Sequence, residues 1–423
     1  MQKIKKTILN NGLRVVTIPM KENPTVTVML MVNTGADFEN NENNGIAHFL
    51  EHLCFKGTKK RLSSKIISTE LDMLGAHYNA YTDREITNYY AKVSAKDWKK
   101  AYDVITDIVI NSSFPSAEME KEKGVIIEEM NMYEDMPERK VWEVLAEAFY
   151  DDQIAGRRII GSRENIQKMN RDDIDKFHKE HYVPGKMTLV VSGGIKEKEV
   201  LDIAKKTLGS LPQNKIFKRI KTIQNQKSPK IKIHNKKSDQ MHMIIGFRTM
   251  PIDNIYSATL SVISGILGVG MSSRFFIKLR EELGVAYYVY TTNEYNTDRG
   301  FFAIACGVAN DRTKEVVVEI LKEIKKISTV LVDEKELQKV KQYLIGSLKL
   351  SLESSDSLAS YYGPQEVLKG RWKTPEDRAK AINNVTAKDI QKIAQKFFTK
   401  DNITVAMVGG EEYTKDMTSI LKL

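Results

Sequence analysis

Three residues within five positions could do chemistry together: His48, Glu51 and His52, in the stretch NNGIAHFLEHLCFKGT from Asn43 to Thr58. On a helix the two histidines stand four residues apart. Their imidazoles then leave one face about one turn from each other, the spacing by which two nitrogens grip one metal ion. Ile46, Ala47, Phe49, Leu50, Leu53 and Phe55 surround them, and a helix apolar nearly all round belongs inside a protein. Burial makes the polar trio costly, and a divalent cation would satisfy both imidazoles and the carboxylate together. A histidine pair alone at this spacing is more often structural; the added glutamate points to a reaction.

The pattern HxxEH is the inverted form of HExxH, in which two histidines hold zinc and the glutamate is general base for a water. Such a site needs a third protein ligand and an open position. In the helical pattern after Pro115, Met119, Glu122, Ile126, Glu129 and Tyr133 follow steps of three or four and form one stripe, whereas Glu128 points about 100° to the side. A carboxylate on a buried face needs a cation or donors, so Glu129 and Glu122 are the acids to weigh as ligand and its support. The alternative is a pair of carboxylates bridging to Lys or Arg.

The elements that must position these groups are mixed. Leu13–Ile18 and Thr25–Val32 read as strands, the second buried on at least one face. Helical periodicity follows over Ile46–Phe55, Ser63–Leu74, Ala95–Asn111 and Ser116–Tyr133. An internal repeat divides the chain: residues 165–194 align without a gap to residues 381–410, at an offset of 216. Ile166 meets Ile382, Asp173-Ile174 meets Asp389-Ile390, and Gly193-Gly194 meets Gly409-Gly410. Each copy runs from an amphipathic helix into a strand ending at a Gly-Gly turn. An offset of half the chain implies duplication. The expected architecture is α+β, with two similar α/β sandwich halves at 1–212 and 231–423 joined by a basic linker at 213–230.

That linker, QNKIFKRIKTIQNQKSPK, holds six basic residues and no acidic one, and it reads as solvated. The whole chain has 423 residues and a formal charge of +10, but its lysines are interleaved with acids instead of clustered with aromatics, so nucleic acid is not an expected partner. No apolar run approaches the roughly 18 residues of a membrane span. Cys54 and Cys306 are too few for a disulfide framework and fit a reducing compartment, which makes the expected location the cytoplasm. GILGVGMSS lacks the GK[ST] ending of a phosphate loop.

His48-Phe49-Leu50-Glu51-His52, with Glu129 following 77 residues after His52 in EKGVIIEEMNMYEDMP, resembles the pitrilysin and insulinase family of zinc peptidases, and the resemblance covers nearly the whole chain. It implies one zinc ion per chain held by His48, His52 and Glu129, with Glu51 as base and Glu122 in support. NAYTDREITNYY is similar to the family's edge strand, where the Asn79 and Ala80 backbone would pair with a peptide substrate. GMSSRFFIKLREELGVAY resembles the segment that sends an arginine and a tyrosine, here Arg280 and Tyr287, to substrate and to the catalytic site. Read without the family, Arg280 is a surface ion pair with Glu281 or Glu282. The second half has no HxxEH, as in the family's metal-free partner domains. The resemblance further implies a clamshell-like chamber and, as a dimer, pairing with a second copy or a related chain. The competing expectation is a non-catalytic subunit of a processing-peptidase-like complex, which loss of motif residues would mark; here the motif is whole.

Overall fold

A computed structural model describes residues 4–414 and 417–421. The first sheet contains β1 (Lys5–Ile8), β2 (Arg14–Pro19), β3 (Thr25–Val32), β4 (His77–Thr82), β5 (Thr87–Ser94) and β6 (Met187–Gly193), in the order β1-β2-β6-β3-β5-β4. The helices up to the linker are, in chain order, α1 (Ile46–Cys54), α2 (Ser64–Met73), α3 (Trp98–Ile110), α4 (Ser116–Asp135), α5 (Pro137–Tyr150), α6 (Arg163–Lys168), α7 (Arg171–His181) and α8 (Glu197–Thr207). The second sheet contains β7 (Lys230–Asn235), β8 (Gln240–Thr249), β9 (Ala286–Tyr295), β10 (Gly300–Ala309) and β11 (Ile403–Gly409), ordered β7-β11-β8-β10-β9. The remaining helices used below are α9 (Ser257–Gly268), α10 (Thr313–Thr329), α11 (Glu334–Leu350), α12 (Ser355–Lys369), α13 (Pro375–Asn383) and α14 (Ala387–Phe397).

With β1 set aside, the two sheets share one topology. In each, the last strand enters between the first two, parallel to the first (β6 beside β2, β11 beside β7) and antiparallel to the second (β6 beside β3, β11 beside β8). The repeat is also structural: α7 and α14, and β6 and β11, have bounds that differ by the 216 residues found in the sequence. Even their helix starts agree. Asn170 and Thr386 each accept a backbone N–H from the third helical residue, Asp173 or Asp389, whose carboxylate accepts the cap's own N–H in return.

The chain forms two compact units that interleave along the sequence. One comprises residues 1–130, 158–220 and 350–372, the other residues 131–157, 221–349 and 373–423. Thus α5 belongs to the unit of the second sheet, and α12 to that of the first. The reason is legible in side chains. Val141, Val144, Leu145 and Phe149 of α5 form an apolar stripe that packs on Ile244, Ala303, Ala305, Ala406 and Val408, small or branched residues that let a helix lie close to the sheet. Each such Val, Leu or Phe removed from water stabilises by about 1.5–3 kcal/mol. In the first unit α12 sets Leu358, Ala359, Tyr362 and Val367 against Val16, Ile18, Met29, Met31 and Val190. A Cβ at Gly363 would stand 2.6 Å from the Met31 sulfur, so any larger residue requires Met31 to shift. The opposite face of the first sheet carries α3 against β3 and β5, and that of the second carries α9, α10 and α14.

Residues 213–229 form no helix or strand, yet the expected solvated character is corrected at Arg219, and Thr222 and Gln226 are also half-buried. Arg219 Nε lies 2.8 Å from Glu85 Oε1, and its Nη1 lies 3.8 Å from Asp37 Oδ2, with both acids buried. Two carboxylates withdrawn from water need a cation, which overrides the polar composition of the segment. Both cysteines are free and buried. Among the described residues no helix is long and apolar enough to cross a membrane.

Candidate metal centre

The site is assembled on α1, and α1 is fixed at its start. Gly45 has φ 102°, and a Cβ there would lie 2.8 Å from the Ile160 carbonyl oxygen and 2.9 Å from the Gly161 Cα, so glycine is required twice over. No side chain at the cap position satisfies the first helical amides. Glu39 does so from outside: its Oε2 accepts from the Gly45 N–H at 2.9 Å and from the Asn44 amide at 2.8 Å, and its Oε1 from the Ala47 N–H at 2.9 Å. A carboxylate at a helix N-terminus meets both its free donors and the positive end of its dipole. Burial pushes the Glu39 carboxyl up to about 8, against the pull of those donors.

Every residue of α1 except His52 is buried. The stripe read on α4 is also present: Met119, Glu122, Ile126 and Met130 are buried, Glu129 is half-buried, and Glu128 is exposed. Packing brings the two helices' polar groups together. His48 Nε2 lies 3.7 Å, and His52 Nε2 3.6 Å, from Glu129 Oε2. Among the described residues, His48, His52 and Glu129 form the group whose ligand atoms all lie within 4.8 Å of one another and could hold a metal ion. Tetrahedral zinc with bonds of about 2.0–2.1 Å separates its ligand atoms by roughly 3.3 Å, and the two histidine–Glu129 distances lie within tenths of an ångström of that.

The protonation pattern fits such an ion. Burial, helped by the charge of His52, holds the His48 imidazole down at about 3, so it is neutral and a lone-pair donor. His52 Nδ1 is 2.9 Å from Glu122 Oε1. A proton on Nδ1 shared with that carboxylate leaves the Nε2 lone pair directed to the ion, the usual division of labour in a carboxylate-supported histidine ligand. Burial alone would depress His52, but the bond to Glu122 and the charges of Glu51, Glu122 and Glu129 raise it overall. Glu122 Oε2 is 2.6 Å from Lys56 Nζ. Although burial pushes the Glu122 carboxyl up, the bonds from His52 and Lys56 bring it below the usual carboxylate range. Of the two sequence readings of Glu122, the bridge to a lysine is present, and the same carboxylate also bonds His52.

Glu51 faces the same space. Burial raises its carboxyl, a bond from Thr82 lowers it, and the charge of Glu129 raises it again. The Thr82 hydroxyl donates to Glu51 Oε2 at 2.6 Å. Asn79 and Ala80 lie on β4, the edge strand of the first sheet, opposite Tyr90 and Tyr89 of β5. The Ala80 N–H is occupied by the Asn79 Oδ1 at 2.9 Å. Arg280 and Tyr287 belong to the second unit. Arg280 sits in a π-helical turn, Phe276–Glu282, and donates to the Tyr287 carbonyl at 2.8 Å; the expected ion-pair role among its glutamate neighbours goes to Lys278, bonded to Glu282 at 3.0 Å.

Three residues at this site escape a reading of the sequence. Lys56 had no helical signal, since it lies two residues beyond the end of α1. Glu39 and Thr82 had none, because their partners are set by loop path and strand pairing.

Replacing Glu122 by Ala should weaken zinc binding about 10- to 100-fold, the usual effect of removing a partner of a ligand. Glu128→Ala should retain the parent affinity. Competitive metal titrations decide this, and a larger loss for Glu128 than for Glu122 would overturn the stripe assignment.

Two imidazoles from adjacent turns of one buried helix, closed by a carboxylate from a second helix with a further glutamate alongside, form a two-histidine, one-carboxylate group that could hold a metal ion. Residues 14–163 match the family model described as insulinase (peptidase family M16), and residues 168–344 match the peptidase M16 inactive domain. The chain is 33% identical over 402 residues to the "Uncharacterized zinc protease YmxG" of Bacillus subtilis (strain 168), covering 94% of this chain and 96% of that one. It is 33% identical over 406 residues to an "Uncharacterized zinc protease" of Rickettsia bellii (strain RML369-C), covering 95% and 96%. In fold it is similar to the crystal structure of a protease from Helicobacter pylori, with a TM-score of 0.90 at 22% identity over 97% of this chain and 100% of that one. The chain belongs to peptidase family M16.

Proposed function

We propose that the chain is a zinc metalloendopeptidase acting on short or unfolded peptides. The observation that carries this is the convergence of His48, His52 and Glu129 with the Glu51 carboxylate on the helix that bears the two histidines. Zinc, when bound, lowers the pKa of a water toward about 7 and polarises the scissile carbonyl. Glu51 takes a proton from the attacking water and passes it to the departing amine, and its buried, upward-shifted carboxyl suits that double task. Glu122 and Lys56 hold His52 in one orientation. The edge of β4 supports pairing of a peptide as an added strand, for which Asn79 must release the Ala80 N–H. Tyr287, with Arg280, takes the role that the family resemblance implies, binding substrate and donating to the oxyanion that develops on the carbonyl.

The test is metal analysis of the purified chain with a fluorogenic peptide assay before and after chelation. About one zinc per chain, and cleavage abolished by chelation and restored by zinc, is the expected result. Cleavage that survives zinc removal, or a fully zinc-loaded chain that cuts no peptide, would overturn the proposal. In the active enzyme Tyr287→Phe should lower kcat about 10²- to 10³-fold, as loss of one oxyanion donor does. Unchanged turnover would remove Tyr287 from the mechanism.

A further inference from the structure

We infer that Thr82 is a positioning residue for the base: its hydroxyl fixes the Glu51 carboxylate by occupying one oxygen and leaves the other for the water. The inference rests on the peptidase reading of this site. A threonine hydroxyl has one proton to give, and three acceptors surround that of Thr82. Glu51 Oε2 is at 2.6 Å, while the Ala47 carbonyl and the Thr87 hydroxyl are both at 3.5 Å. Distance assigns the proton to Glu51. The Thr87 hydroxyl donates to the Thr34 carbonyl at 2.9 Å, so it does not compete for the carboxylate. A hydrogen bond to an ionised group is about twice as strong as a neutral one, and this one is short.

The geometry gives the bond a consequence beyond stability. Glu51 is one residue from His52 on α1, and with three rotatable bonds between its backbone and its carboxylate it has several rotamers open to it. A base must meet its proton at roughly 2.6–3.2 Å. Thr82 is the last residue of β4, paired with Thr87, and the turn beyond it is closed by the Asp83 N–H on the Ile86 carbonyl at 2.8 Å. A rigid strand end therefore holds the donor, and the donor selects one Glu51 rotamer. The strand that offers its edge to a peptide and the carboxylate that moves the proton are thus tied through one hydroxyl.

The test compares the parent, Thr82→Val and Thr82→Ser. Valine keeps the branched shape and removes the donor; serine keeps the donor. Thr82→Val is expected to lower kcat about 10- to 100-fold, the scale of a base displaced by about 1 Å, with KM within about twofold and zinc content unchanged. Thr82→Ser should recover most of the parent kcat. In crystal structures of the zinc-loaded proteins, Glu51 should occupy one rotamer in the parent and in Thr82→Ser, and more than one, or a different one, in Thr82→Val. An undisturbed Glu51 in Thr82→Val, an unchanged kcat there, or a serine variant as impaired as the valine one would each overturn the inference. If the zinc-loaded parent cleaves nothing, the peptidase reading fails by itself, and the Glu51 rotamer in the three structures still decides whether Thr82 positions it.

Discussion

Glu51→Gln is expected to bind zinc as the parent does and to cleave peptides about 10²- to 10⁴-fold more slowly, the range that a positioned acid–base group contributes. The substitution keeps length and shape. Its amide oxygen can still accept from the Thr82 hydroxyl, so α1 and β4 should hold their places. What is lost is the ability to take a proton, and neither neighbouring carboxylate can supply it. Glu122 is engaged on one oxygen by His52 and on the other by Lys56, and Glu129 closes the metal group. The measurement is kcat/KM on a fluorogenic peptide beside zinc content for the same sample. A Glu51→Gln chain within tenfold of the parent would show that the base lies elsewhere.

Glu129→Ala and His48→Ala are expected to lose zinc and activity together. Each removes one of the three proposed ligands, an effect that should exceed the about 10- to 100-fold of a supporting residue such as Glu122. Thermal unfolding gives a readout separate from catalysis. An ion that binds only the folded chain stabilises it by RT ln(1 + [L]/Kd), about 2.7 kcal/mol at a hundred times Kd. Chelation should therefore lower the Tm of the parent and leave that of Glu129→Ala where it was. A Glu129→Ala chain that retains stoichiometric zinc, or whose Tm still falls with chelator, would remove Glu129 from the ligand set.

The sequence by itself determined whatever depends on neighbours three or four positions apart, and whatever depends on repetition. The faces of α1 and α4 follow from helical geometry, so His48 and His52 on one side, and Glu122 with Glu129 on one stripe away from Glu128, could be read before any fold was known. The duplication was legible because α7–β6 and α14–β11 preserve spacing as well as character.

Tertiary structure alone decided the groups that join distant segments. Glu39 caps α1 because a loop returns its carboxylate to the helix start, and Thr82 reaches Glu51 because β4 pairs with β5 in a register that ends beside α1. The interleaving of α5 and α12 depends on shape: an apolar stripe would suit either sheet, and the alanines opposite α5 and the glycine in α12 make the observed packings close. Arg219 leaves solvent for two buried acids that its own segment does not contain. Periodicity records which face of an element is apolar or polar, but the partner of that face is chosen by long-range packing and by the cost of leaving a buried charge or donor unmatched.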